Sequence, residues 1–385
     1  MGPQSVREYA ASVRPGYQLA SRGEKGRVLD EFCKVTGRNR KVAIRLLRRL
    51  PKRARGRSGR PRRYVTMLRP VLEQVWEASD YLCSKRLAPF LPELIDTLER
   101  HDDLVLSAEQ RTALLAISPA TIDRLLRPVR RQYKRRGLAT TSPSLAALRT
   151  YVPIRTFGEW ANVSPGYLQA DLVGHCGEST VDFYLTSLLA IDVATGWTEF
   201  QAVWGKTQQR VGGALHYVRQ ALPMPLLGLH TDNGSEFLNG ILVPWCRDKR
   251  IAFTRGRPYR KNDQAYVEER NGHVLRHYIG YDRFSTRAAF VALQAVHERL
   301  RLYTNFFQPI RKLIFKERHG ARVVKRYDAA QTPYRRLLAS GVLTPERAAE
   351  LAAQYQRLNP RALRADLQTH LEILWRLADG RRQTA

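Results

Sequence analysis

Residues 226–237 read LLGLHTDNGSEF, and residues 257–271 read RPYRKNDQAYVEERN. The run Leu226–His230 has the length and apolar content of a short buried strand. It runs directly into Thr231-Asp232-Asn233-Gly234, whose composition is that of a tight turn. Asn262 opens a segment with helical spacing that extends to about Ile279, with Asp263 placed to cap it and Glu268 and Glu269 on its first turns. Strand, acid, turn, then a helix bearing acids is an α/β pattern.

Upstream, Tyr167–Val173 alternates and carries Asp171. Phe183–Val193 is apolar and β-prone, Thr195-Gly196 marks a turn, and Trp197–Trp204 returns as a third strand. Thr207–Leu222 has helical spacing, and residues 251–254 form another short strand. The order strand–strand–strand–helix–strand–helix predicts a mixed sheet with helices on its faces. An acid at a strand end is costly unless it is exposed or neutralised. Asp171, Asp232 and Glu268 come from three separate segments that such a sheet can gather at one end. Carboxylates gathered there suit Mg²⁺, a hard cation that prefers oxygen ligands. Two such ions can activate one oxygen and stabilise another in an in-line phosphodiester displacement.

Three blocks carry a family resemblance. They are Tyr167-Leu168-Gln169-Ala170-Asp171; Thr231-Asp232-Asn233-Gly234-Ser235-Glu236-Phe237; and Arg257-Pro258-Tyr259 with Lys261-Asn262-Asp263 and Val267-Glu268-Glu269-Arg270-Asn271. Between Asp232 and Glu268 lie 35 residues. At this spacing the segment of about 160–285, a third of the chain, resembles the catalytic core of insertion-sequence transposases and retroviral-type integrases of the DDE class. The resemblance implies an RNase H-like α/β core with a mixed five-stranded sheet. It also implies catalytic and metal-binding roles for Asp171, Asp232 and Glu268, with two Mg²⁺ (or Mn²⁺) ions. The activity implied is that of a nuclease and strand transferase acting on double-stranded DNA, at element ends and target, as a homodimer or tetramer. Glu268 stands three residues before Asn271, as the family pattern places it. One residue along a helix turns about 100°, so only one of Glu268 and Glu269 can face the metals. Asn271 is placed to orient Glu268 or to touch DNA. Arg257, Arg260 and Lys261 are candidate phosphate ligands. An alternative is a DNA-binding regulator descended from a transposase that no longer catalyses. The zinc-binding His/Cys module of retroviral integrases is absent, and helical modules stand in its place.

The charge agrees with a nucleic-acid partner. The 385 residues carry a formal net charge of +30, with 65 Lys and Arg against 35 Asp and Glu. Residues 1–150 hold 32 of those cations and 14 of the acids, hence +18 of the excess. Residues 1–50 are expected to be an all-α helix-turn-helix module. Ser21 caps one helix, Thr36-Gly37 breaks it, and a second helix turns Val42, Ala43, Leu46 and Leu47 inward. Arg38, Arg40, Lys41, Arg45, Arg48 and Arg49 turn outward, toward DNA. Residues 51–63, PKRARGRSGRPRR, lack acids and form a basic linker in which Arg60 and Arg62 flank an AT-hook-like Gly-Arg-Pro stretch. Residues 64–136 form a second helical DNA-binding module. Its last helix starts at Ser118-Pro119, buries Ile122, Leu125, Leu126 and Val129, and displays Arg124, Arg127 and Arg131. Residues 137–155 are a linker, 156–305 the catalytic core, and 306–385 a basic C-terminal region with a short hairpin around His319-Gly320 followed by helices.

Neither a secretory signal nor an apolar run near the roughly 18 residues of a spanning helix is found, so a cytoplasmic protein with no membrane partner is expected. The four cysteines are widely spaced and suit reduced thiols rather than a disulfide framework.

Overall fold

The computed structural model describes residues 2–48, 67–127, 129, 152–155, 160, 163–257, 261–319 and 322–379. The chain divides into two compact units, Met1–Arg63 and Tyr64–Ala385.

The first unit contains α1 (Pro3–Leu19), α2 (Arg22–Thr36) and α3 (Arg40–Arg48). Ser21 and Glu24 form a reciprocal capping box at the start of α2. Gly37 ends that helix at φ 68°, a left-handed conformation that costs glycine little. Val6, Ala10 and Tyr17 of α1 pack with Leu29, Phe32, Ala43 and Leu47, and Tyr9 stacks on Phe32 at 5.4 Å. Of the residues expected inward on α3, Ala43 and Leu47 are buried while Val42 and Leu46 are half-buried. Arg38, Arg40, Lys41, Arg45 and Arg48 are exposed, and Arg40 pairs with Asp30 of α2. The sequence reading did not anticipate α1, which supplies much of this small core.

The second unit opens with α4 (Arg69–Ala78), α5 (Ser84–Arg100), α6 (Ala108–Leu115) and α7 (Pro119–Leu126). Ser118 caps α7 by accepting from Thr121 N at 3.3 Å. Ile122, Leu125 and Leu126 are buried, but α7 stops at Leu126, and Val129, expected on the same apolar face, is exposed. Arg124 and Arg127 are exposed; Arg60, Arg62 and Arg131 lie outside the described residues.

The sheet comprises β1 (Tyr167–Gly174), β2 (Thr186–Asp192), β3 (Thr198–Val203), β4 (Gly228–Thr231) and β5 (Ala252–Arg255), in the order β3-β2-β1-β4-β5. The pairs β1–β2 and β2–β3 are antiparallel; β1–β4 and β4–β5 are parallel. Between them come α8 (Gln208–Ala221), before β4, and α9 (Leu242–Asp248), before β5. β2 is buried along its whole length, as a central strand covered on both faces must be. Gly228 lies opposite Tyr167, where a Cβ would fall 2.3 Å from the tyrosine ring. A mixed five-stranded sheet in this order, with flanking helices, fits an RNase H-like fold.

After β5 a 3₁₀ turn (Lys261–Gln264) leads into α10 (Ala265–Arg270), a π-helical turn (Asn271–Leu275) and α11 (Arg276–Tyr278). The long α12 (Arg287–Phe307) packs on the sheet. Then follow the hairpin β6 (Leu313–His319) and β7 (Arg322–Tyr327), and α13 (Pro333–Ala339), α14 (Pro345–Arg357) and α15 (Pro360–Arg376). Helices α4–α7, the sheet and the C-terminal helices share one hydrophobic cluster, running from Leu68 and Trp76 through Trp197 and Leu229 to Tyr334 and Tyr355. Polar contacts reinforce it: Tyr303 donates to Ala78 O at 2.9 Å, Arg86 to Pro309 O at 2.6 Å, and Arg364 to Asp80 at 3.2 Å. Among the described residues no helix is long and apolar enough to cross a membrane, and Cys33, Cys83, Cys176 and Cys246 are free thiols.

Candidate active site

The register of the sheet places the two aspartates. Gln169 of β1 lies beside His230 of β4 in a parallel pair. Two residues further along each strand come Asp171 and Asp232, so the two acids leave neighbouring strands at the same level. Adjacent strands lie about 4.8 Å apart, so the acids are neighbours through the backbone itself. Asp232 sits just past the end of β4, and its Oδ1 accepts from Gly234 N at 2.9 Å, which closes the turn read from Asn233-Gly234. Asn233 is held on both sides: its amide donates to Gly256 O at 2.9 Å, and Arg255 donates to its oxygen at 2.9 Å.

Gln169 sets the position of the acidic helix. It points to the same side of β1 as Asp171 and is fully buried. Its amide donates to Asp263 O at 3.2 Å and its oxygen accepts from Val267 N at 3.3 Å, pinning the start of α10 to the sheet. Asn271, one turn beyond Glu268, reaches back to donate to Asp171 Oδ2 at 2.5 Å. Its Oδ1 is buried and has no hydrogen-bond partner among the described residues. Asn271 thus touches the first aspartate, where the sequence suggested Glu268 or DNA.

The electrostatics show how closely these groups are coupled. Burial, the charge of Asp232 and then that of Glu268 push the Asp171 carboxyl up to about 7, against the bonds from Leu172 N and Asn271. Burial raises Asp232 as well. Glu269 acts elsewhere: its charge is felt by Arg86, Arg270 and Tyr266. Glu268 and Glu269 are both exposed, so exposure alone does not separate them. Among the described residues, no group of three or more His, Cys, Asp or Glu side chains is gathered tightly enough to hold a metal ion.

Other expectations fare unevenly. Asp263 was expected to cap the acidic helix; the N-cap residue is Gln264, with no side-chain capping bond. The buried Asp263 carboxylate instead accepts from Arg257 N at 3.1 Å, Nε at 2.8 Å and Nη2 at 2.9 Å. Arg257 is therefore already engaged in an intramolecular fork, with its side chain 45% exposed. Lys261 begins the 3₁₀ turn beside it. Asp192 is a buried turn residue, accepting from Gly166 N, Thr195 N and Thr195 Oγ1. His175 is structural: it bonds Ser187 at 2.7 Å, and Ser187 bonds His297 at 2.9 Å. His230 bonds Thr254 at 2.9 Å.

Two participants escaped the sequence reading. Glu236 is a fourth acid beside the aspartates; burial first, and the charge of Asp232 among other causes, raise its carboxyl. Its presence in the Asp232 block was the signal available. Arg255, which fixes Asn233 and also donates to Val152 O at 3.0 Å, carries no sequence signal at all.

The sheet order fits an RNase H-like α/β fold, and the paired strand-end aspartates form a candidate carboxylate site. No family model matches the chain. Over 331 residues it is 44% identical to the "Uncharacterized protein y4rM" of Sinorhizobium fredii (strain NBRC 101917 / NGR234), covering 86% of this chain and 94% of that protein, and it belongs to the same family. Similar solved structures include the catalytic core domain of BIV integrase (22% identity, 46% of this chain and 95% of that one, TM-score 0.31). Another is the HTLV-2 integrase catalytic core domain in complex with magnesium, in its dimeric form (16% identity, 38% and 92%, TM-score 0.29).

Proposed function

We propose that this protein is a metal-dependent DNA strand transferase of the transposase and integrase type, with Asp171, Asp232 and Glu268 as its catalytic carboxylates. The observation that carries the reading is the level placement of Asp171 and Asp232 on adjacent parallel strands, with the Glu268 charge acting on Asp171. Two acids brought side by side and partly buried repel one another, and a divalent cation relieves that repulsion. Asp171 and Asp232 are the pair that would hold Mg²⁺ or Mn²⁺, with the exposed Glu268 drawn in as third ligand on binding; the ion when bound supplies charge stabilisation for phosphodiester displacement. The chain's own groups prepare the place. Asn271 orients the Asp171 carboxylate, Gly234 N orients Asp232, and Gln169 fixes the helix that brings Glu268.

Double-stranded DNA is the proposed substrate. Arg38 in the turn before α3, the exposed α3 cations Arg40, Lys41 and Arg45, Arg124 of α7 with Arg127 just past its end, the linker cations Arg60 and Arg62, and Arg131 are the proposed phosphate and groove contacts, with Arg257 and Lys261 nearer the acids. Joining two ends of an element to one target calls for two active sites, hence a homo-oligomer on DNA. The retained acids favour this reading over a non-catalytic DNA-binding regulator.

The test is Asp232→Asn, which removes the ligand charge and keeps the shape. Loss of even supporting residues at metal sites costs about 10- to 100-fold, so strand cleavage should fall by more than about a hundredfold. Binding to the same duplex, followed by gel shift, should change by less than about threefold. A variant that cleaves normally would overturn the reading. A variant that loses both binding and its thermal transition would assign Asp232 to folding instead.

A further inference from the structure

Among the described residues, the hairpin β6–β7 is a two-stranded sheet joined to no other strand. Every residue of β6 is exposed, including Ile314 at 66% and Phe315 at 42%. A free hairpin is only marginally stable in water, so the firmness of its root matters. Lys312 N donates to Asp328 Oδ1 at 2.6 Å, and Asp328 N donates back to Lys312 O at 3.0 Å. Arg336 pairs with Asp328 at 2.7 Å and donates to Ile310 O at 3.0 Å. Lys312 Nζ reaches Ala194 O, in the turn between β2 and β3, at 2.5 Å. The root is tied to the sheet while the blade stands in solvent.

The blade carries an unusual charge pattern. Lys316 lies directly opposite Lys325 in the register, and Arg318, two residues along, shares their face. Like charges facing across a strand pair destabilise it. Among the described residues, Lys316, Arg318 and Lys325 have no ion-pair or hydrogen-bond partner, whereas on the other face Glu317 pairs with His319 at 3.1 Å and Arg326 lies over Phe315 at 5.5 Å. The Lys316–Arg318–Lys325 face is therefore a cluster of three cations with no acid, whereas the opposite face holds the acid Glu317 between His319 and the ring-stacked Arg326. A two-stranded ribbon is also the β-element that the major groove of duplex DNA admits.

We infer that the β6–β7 ribbon is a DNA-binding arm whose Lys316–Arg318–Lys325 face contacts the phosphates of a duplex. The inference rests on the strand-transfer reading above. Each phosphate contact lowers the slope of log affinity against log salt by about 0.9. The full chain carrying Lys316→Ala, Arg318→Ala and Lys325→Ala should bind duplex DNA at least about tenfold more weakly near 100 mM salt, with a slope shallower by about 2 to 3. Its thermal transition should not fall, because all three side chains are exposed and their removal relieves the Lys316–Lys325 repulsion. Removing three exposed cations elsewhere (Lys249→Ala, Arg357→Ala, Arg376→Ala) should leave the slope nearly intact. Wild-type affinity and slope in the ribbon variant would overturn the inference, as would an equal loss in the second variant. So would a changed oligomeric mass with unchanged DNA binding, which would make the ribbon a contact between copies of the chain. Cleavage lost on Asp232→Asn alongside normal binding by the ribbon variant would sink this inference and leave the strand-transfer reading standing.

Discussion

At the residue scale, Asp171 is the most informative group. Its carboxyl is raised to about 7 by burial and by Asp232, so the folded chain without metal binds a proton there more tightly than the unfolded chain does. The sign follows: this group favours folding below its ordinary value near 3.8, and that contribution is lost as the pH rises through about 7. Asp171→Asn keeps an acceptor for Asn271 and removes the charge. In metal-free buffer at pH 8 the variant should be more stable than the wild type, by up to roughly 4 kcal/mol for a carboxyl raised from 3.8 to about 7, and should unfold at a higher temperature. Near pH 4 the difference should vanish. Added Mg²⁺ should raise the melting temperature of the wild type, through binding to the folded state, and leave the variant unmoved. Denaturation scans across pH and metal concentration check all three; a variant less stable than the wild type at pH 8 would show that Asp171 is held for its hydrogen bonds and not strained by its neighbours.

At the scale of elements, the segment from Lys261 to Tyr278 decides which glutamate matters. It is not a uniform helix: a 3₁₀ turn, one α segment and a π turn succeed one another, and the π turn begins at Asn271. Turns of this kind often mark functional positions in a helix. Glu268 acts on Asp171, while Glu269 acts on the half-buried Arg86 and the buried Arg270, the latter lowered by burial to about 10. Glu268→Gln should therefore reduce DNA cleavage by more than about a hundredfold with little change in stability, by the same metal-ligand argument. Glu269→Gln should retain cleavage within about fivefold and lose at most about 1 kcal/mol of stability, the scale of an exposed charge partner. Cleavage assays and urea titrations on the pair separate the roles; the reverse result would make Glu269 the third acid. The helix phase was legible in the sequence because Asn271 fixes it, and the five strands were legible because alternation and turn residues bound them. The 3₁₀ and π turns, α1 and α9 were not. Short helices such as Leu242–Asp248 have too few residues for a clear period, and the π turn, whose first residue Asn271 bonds Asp171 of β1, belongs to tertiary contacts that no local pattern encodes. Within the site, Asp171, Asp232 and Glu268 stood out as acids beside apolar runs. The partners that hold the scaffold around them (Gln169 with Val267, and Arg255 with Asn233) join residues 98 and 22 positions apart and depend on the folded register.

At the scale of the whole molecule, the helices of 67–127 raise a question of independence. The sequence presents them as a module between two linkers, and basic residues around α7 suggest DNA contact. Their apolar faces, however, join the same cluster as the sheet and the C-terminal helices, with Leu72, Leu87, Leu91 and Leu94 almost completely buried. Polar ties cross the same boundary: Thr97 to Tyr355 at 3.0 Å, Asn359 to Asp103 at 2.5 Å, and Tyr278 to Asp80, which with Tyr81 adopts positive φ. A fragment that starts at residue 151 would strip this layer away and expose the sheet-side and C-terminal partners of those leucines. Exposing several such side chains costs about 1.5–3 kcal/mol each, enough to exceed the stability of an ordinary domain. A fragment of residues 64–385 keeps the layer and loses only the first compact unit. We expect the 64–385 fragment to unfold cooperatively within a few degrees of the full chain, with the 151–385 fragment aggregating or showing no cooperative transition. Calorimetry on the three proteins is the measurement. If 151–385 melts like the full chain, α4–α7 are a detachable module after all, and DNA contacts by Arg124 and Arg127 would then be made by a unit able to move apart from the active site; if it does not, those arginines are fixed relative to Asp171 and Asp232, and a bound duplex would span both in a single geometry.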